Sequence, residues 1–233
     1  MKHPLLRDRL TAALILLFRI ALLIWLVYSY KLLLDADYIW IYGTYRFSLR
    51  ESLEYFTCQS NFLAILTAAL SLPFSLLRVF GIKTPRVIEI IQAVNAVNMM
   101  ILLIGYAVVY GPTADWVFLN VTQHALNPAL VVLDFLLCVR PGAVKLWQLP
   151  LSFIPMGFYS LYTYFYLFPR HIILYPEILN EGVFQSSRFI GLYALGFLMI
   201  TVFFLALYAV SRLKKRLFPR FQAPYHKKAS EKE

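Results

Sequence analysis

The sequence predicts an all-α polytopic membrane protein, a bundle of six transmembrane helices. Three observations predict it. Hydrophobic residues make up 61% of the 233-residue chain, well above the roughly 45–50% of soluble domains. Charged residues are only 15% and gather in short connectors between long apolar runs. Six of those runs approach the ~20 residues that a helix needs to cross hydrocarbon: Leu10–Leu34, Thr57–Leu77, Val87–Tyr110, Trp116–Val139, Leu146–Phe168 and Phe189–Ser211.

The first run follows Lys2, Arg7 and Arg9, as the apolar core of a signal peptide would. It is too long for a cleavable core and no small-residue cleavage site follows, so a retained span carrying Arg19 is expected. The second opens on Tyr55-Phe56-Thr57-Cys58-Gln59-Ser60-Asn61, which puts hydrogen-bonding groups and a thiol at the mouth of a charge-free run. The third carries Glu89, placed to reach the interface or Arg86, and a stripe of Gln92, Asn95 and Asn98 that the spacing predicts to be interhelical glue. The fourth carries His124 and Asp134, and Asp134 lies at a depth where it can pair with Arg19. The fifth is charge-free and dense in aromatics (Tyr159, Tyr162, Tyr164, Phe165, Tyr166), which core packing explains. The sixth is charge-free and ends at Arg212-Leu213-Lys214-Lys215-Arg216, a predicted juxtamembrane stop in contact with lipid headgroups.

The connectors divide into two kinds. Phe80–Pro85 and Arg140–Lys145 are short, each with a Pro and a Gly, as tight helix turns require. Asp35–Tyr55 and Pro169–Arg188 are longer and are expected to cap one mouth of the bundle. One domain is predicted over residues 1–218, followed by a disordered basic cytoplasmic tail over 219–233.

The net charge of +10 does not point to nucleic acid, because the charges sort by side. With an even number of spans, Lys2, Arg7, Arg9, Arg78, Lys83, Arg86, Arg140, Lys145 and the tail fall together, while most acids lie opposite. This positive-inside bias predicts that both termini lie in the cytoplasm. Cys58 and Cys138 then lie toward opposite faces, too far apart to bridge. No ligand spacing suggests a metal, and no cofactor is expected.

The polar residues suggest one outer-half pocket. Thr57 begins a span running inward, and His124 lies about two turns into another, at ~1.5 Å per residue. Gln59, Ser60, Asn61, Tyr106, Asn127 and Tyr175 come to the same level. A hydroxyl beside an imidazole base follows the nucleophile logic of acyl transfer, with Thr57 or Ser60 as hydroxyl and Gln59, Asn61 or Asn127 as oxyanion donors. A hydrogen bond that only fixes helix packing is the other role open to His124.

Three motifs carry a resemblance. Tyr55-Phe56-Thr57-x-Gln59-Ser60-Asn61, then His124-x-x-x-Pro128 followed by Asp134, then Tyr175-Pro176, resemble in order and spacing the bacterial six-span family labelled Pr6Pr. That family is distantly similar to the androgen-induced and androgen-dependent membrane proteins of animals, which are Thr/His hydrolases of fatty-acid esters of hydroxy fatty acids. The resemblance implies Thr57 as nucleophile and His124 as general base, and the residues that share their depth, Gln59, Ser60, Asn61, Tyr106, Asn127 and Tyr175, are the expected substrate contacts. The segment around His124 is shorter and less His-rich than in the animal proteins. The expected function is hydrolysis of a lipid (fatty-acyl) ester, with membrane lipids as surroundings and partner. The alternative is a non-enzymatic lipid or small-molecule transporter or binding protein.

Overall fold

The computed structural model describes residues 4–36, 38–40, 43–46, 48–82, 85–109, 118–170 and 187–217. Helix α1 covers Pro4–Asp35, α3 Phe56–Val79, α4 Arg86–Val109 and α8 Ser187–Leu217. The fourth segment is α5 (Phe118–Val121), a π-helical turn (Thr122–Leu126) and α6 (Asn127–Cys138). A two-stranded antiparallel hairpin, β1 (Tyr38–Trp40) with β2 (Gly43–Tyr45), and the single turn α2 (Leu49–Ser52) lie between α1 and α3. The 219–233 tail lies outside the described residues.

Among the described residues, five helices are long and apolar enough to cross a membrane. The predicted fifth span is not one of them. It is helical but broken: a 3₁₀ stretch (Leu146–Phe153), α7 (Ile154–Tyr162), a second π turn (Thr163–Leu167) and a short 3₁₀ turn (Phe168–Arg170). Pro150, Pro155 and Pro169 explain the breaks, since each lacks the N–H that an α-helix would use and crowds the carbonyl four residues back.

The packing is apolar outside and mixes apolar clusters with polar groups inside. On α1 the buried residues Ala12, Ile15, Arg19, Leu22, Leu26, Ser29 and Leu33 recur at helical spacing. The opposite stripe of Leu10, Leu14, Leu17, Ile24 and Val27 is exposed. Large exposed apolar residues continue over α3, α7 and α8, while buried hydroxyls and amides line the interior. A hydrocarbon surrounding rewards this arrangement, because it gains nothing from burying leucine and penalises unpaired polar groups. Helix α4 is the hub. It packs against α3, α6 and α8, and 61% of its spanning window is buried, against 22% for α1.

Ion pairs tie the helices together. Arg19 Nε donates to Asp134 Oδ1 at 2.8 Å, and Arg19 Nη1 donates to Ser75 Oγ at 2.8 Å. Gln92 Nε2 donates to Asp134 Oδ2 at 3.3 Å, so one cluster joins α1, α3, α4 and α6. The pair expected from matching depths therefore forms. Glu89 pairs with Arg140 rather than with Arg86, and this bond raises the Arg140 pKa above its ordinary value. At the same end Gly142, at φ +74°, lets the chain turn beneath α8, where a Cβ would meet Lys215 Cδ at 2.9 Å. Lys214 Nζ donates to the carbonyls of Leu136 and Val139 at 2.6 and 2.9 Å, and Arg78 Nη1 to that of Cys138 at 3.2 Å. Lys214 is thus spent on the C-terminus of α6, which corrects its predicted role at lipid headgroups: the end carbonyls of a helix need donors. Both cysteines are free and buried.

Removing one member of the Arg19–Asp134 pair strands the other in the core. Asp134→Ala is expected to lower stability by about 3–5 kcal/mol, read as the thermal unfolding midpoint in detergent. Arg19→Met combined with Asp134→Leu should recover most of that loss.

Candidate functional site

Thr57 is the second residue of α3, whose first turn has no side-chain cap. The leading N–H groups of a helix lack intrahelical acceptors and carry the positive end of its dipole. His124 is the middle residue of the π turn in the fourth segment. Its position follows from Pro128, which provides no N–H for the carbonyl of His124 and so disfavours a regular α turn there. The chain inserts a residue instead, and the N–H of Asn127 reaches the carbonyl of Thr122, five residues back. The fifth segment repeats this device: Thr163–Leu167 is a π turn closed by Phe168 N–H on the Thr163 carbonyl, with Pro169 next. Both read Thr-x-x-x-Leu-x-Pro.

The turn aims the imidazole at α3. Thr57 Oγ1 and His124 Nε2 are 3.1 Å apart, and His124 Nδ1 is 3.1 Å from the carbonyl oxygen of Asn120. A carbonyl only accepts, so Nδ1 carries a hydrogen. In the neutral ring Nε2 then holds the lone pair, and the Thr57 hydroxyl donates to it. Tyr106 stacks on the imidazole with ring centroids 4.0 Å apart and planes 19° from parallel. Thr57 is 9% exposed and His124 half-buried. The arrangement holds a hydroxyl against an oriented base at the N-terminal turn of α3.

The predicted pocket divides in two. Asn61 lies one turn below Thr57 on the same face, and its Nδ2 donates to the carbonyls of Thr57 (2.9 Å) and Gln123 (3.1 Å). Asn127 Nδ2 donates to Asn61 Oδ1 (2.8 Å) and Ser29 Oγ (3.0 Å), and Trp25 Nε1 donates to Asn127 Oδ1 (2.8 Å). Each amide has two N–H groups, and both are used. Asn61 and Asn127 are therefore scaffold for Thr57 and the π turn, not oxyanion donors. Gln59 and Ser60 turn away: Gln59 is about 200° round the helix from Thr57, and Ser60, about 60° from it, lies on the side away from Asn61. Gln59 Nε2 donates to the Leu53 carbonyl at 2.7 Å, and both residues line a separate groove. Tyr175 lies outside the described residues.

Sequence reasoning missed Trp25, Ser29 and Gln123. Trp25 passes for an interfacial aromatic, and Ser29 for a neutral residue in an apolar run. Gln123 Nε2 bonds the carbonyl of Ser29 at 2.9 Å, so the π turn is anchored to α1 on both sides of His124. Thr122-Gln123 ahead of His124 and Asn127-Pro128 behind it were the available signal.

No protein-family model, curated protein or solved structure matches the chain.

Nitrogen NMR of labelled histidine should show His124 as the Nδ1–H tautomer, with an Nε2 shift that moves on Thr57→Val. Pro128→Ala restores an N–H for the His124 carbonyl, so the π turn should relax and that dependence on Thr57 should disappear.

Proposed function

We propose that the protein hydrolyses an ester embedded in or next to the membrane, with Thr57 as nucleophile and His124 as general base. The observation that carries this reading is the Thr57 Oγ1–His124 Nε2 contact of 3.1 Å, with the ring tautomer set by Asn120. His124 takes the Thr57 proton as Oγ1 attacks the ester carbonyl. The tetrahedral oxyanion is stabilised by N–H groups of the first turn of α3, and His124 returns the proton to the leaving alkoxide. Water activated by His124 then releases the acyl group from Thr57. The likeness of the Thr57 and His124 motifs to the Pr6Pr family and the animal Thr/His hydrolases points the same way and suggests a fatty-acyl substrate. The transport alternative has less to support it, because Arg19 and Asp134 neutralise each other instead of facing an open path.

The topology that suits this reading is six crossings in a bacterial inner membrane, with both termini cytoplasmic and Thr57 toward the outer leaflet. Leu146–Leu167 supports the sixth crossing. At about 2.0 Å per residue in 3₁₀ and 1.5 Å in α geometry, it is about 35 Å long, enough for hydrocarbon ~30 Å thick. The basic residues gathered at the Arg78–Arg140–Lys214 end support the orientation.

Turnover of fluorogenic fatty-acyl esters in detergent micelles tests the proposal. Thr57→Ala and His124→Ala should each reduce kcat by about 10²–10⁴-fold at unchanged folding. Retained turnover in Thr57→Ala would reject Thr57 as nucleophile.

A further inference from the structure

A second site lies on the other face of α3. A groove of about 680 Å³ runs between α3, α4 and the broken fifth segment, within the roughly 300–1,000 Å³ typical of small-molecule sites. Neither Thr57 nor His124 lines it. Its rim is apolar and open: Leu66, Val87, Ile154 and Phe158 are all exposed, Phe158 at 74%. In a bilayer such a mouth faces acyl chains and not water.

The floor is different. Ser60, Thr67, Asn95 and Asn98 line the groove, and Asn95 and Asn98 are each 1% exposed. Asn98 Nδ2 and Oδ1, Asn95 Oδ1, Ser60 Oγ and Thr67 Oγ1 are buried with no hydrogen-bond partner among the described residues. Here the predicted glue stripe parts company with itself, because Gln92 bonds Asp134 while the amide of Asn98 bonds nothing. Several unpaired polar groups in one groove are costly without a ligand that pairs with them.

The pattern specifies that ligand. Asn98 offers a donor and an acceptor from one planar carboxamide, and Asn95 adds an acceptor. A secondary amide matches this with one N–H and one C=O, whereas an ester has no N–H. Depth fixes where the group sits. Thr67 is the twelfth of 24 residues in α3 and Asn98 the thirteenth of 24 in α4, so these floor residues lie midway along both helices, with Ser60 nearer the start of α3. We infer that the groove binds an amide-bearing lipid, with apolar chain on both sides of a carboxamide held by Asn95, Asn98 and Thr67. This site stands apart from ester hydrolysis at Thr57 and does not require it.

The test uses two photo-crosslinkable probes of equal chain length, a diazirine-bearing N-alkyl fatty amide and the corresponding alkyl ester. They compete for purified protein in lipid nanodiscs, with wild type and Thr57→Ala treated alike so that turnover plays no part. The amide should bind about tenfold more tightly than the ester, the worth of one buried hydrogen bond, and should label peptides containing Leu66 or Phe158. Asn98→Leu should erase the preference. Leu66→Trp, at an exposed rim position, should weaken both probes and serves if Asn98→Leu fails to fold. Equal affinity for the two probes, labelling elsewhere, or no binding would each overturn the assignment, whether or not Thr57 proves catalytic.

Discussion

A polar group inside hydrocarbon has no water to fall back on, and the Arg19–Asp134 cluster is where this constraint presses hardest. Arg19 is 3% exposed in the middle of a helix whose surface is otherwise largely uncovered by the rest of the bundle. It is tolerable only because α6 supplies Asp134, α3 supplies Ser75, and Gln92 of α4 shares the carboxylate. Four helices must meet at one point to satisfy two charges. That meeting sets the rotation of α1, and with it the placement of Ser29 and Trp25 ten and six residues further along the chain. The amide network behind Thr57 and His124 is built on those two residues, so the hydroxyl–imidazole pair and the ion pair belong to one framework.

Proline shapes the rest. A kink is the usual outcome of proline within a helix. Here two segments absorb it by widening one turn into a π-helix at Thr122–Leu126 and Thr163–Leu167. In the fourth segment the widened turn presents His124 to α3. In the fifth, Pro150 and Pro155 break the helix further back, where Leu151, Ile154, Pro155 and Phe158 line the groove.

How much of this the sequence disclosed follows from the physics of each feature. Run length and hydropathy are summed over many residues, so α1, α3, α4 and α8 were legible to within a few residues, apart from the helical extensions of α1 and α8. Thr57 and His124 were legible as neighbours in depth, because helical rise converts sequence distance into height. Rotation about the helix axis was not legible. This is why Gln59 and Ser60 were grouped with Thr57 although they face the groove, and why Lys214 was assigned to lipid although it caps α6. The breaks in the fifth segment were not legible for a related reason. Its composition suits a span, but its three prolines decide the backbone. Tyr175 and the 219–233 tail lie outside the described residues.

The partner of His124 Nδ1 is a backbone carbonyl, where many hydroxyl–imidazole pairs use a carboxylate. That substitution changes the electrostatics of the centre. A hydroxyl, a neutral ring and a peptide group sum to zero formal charge. Passing a proton from Thr57 to His124 creates opposite charges side by side and leaves the sum at zero. A carboxylate would have placed a permanent anion in a medium that solvates ions poorly, and the fold would have had to neutralise it as it does Asp134. The pair at Thr57 is electroneutral throughout, and so it requires no counter-ion of its own.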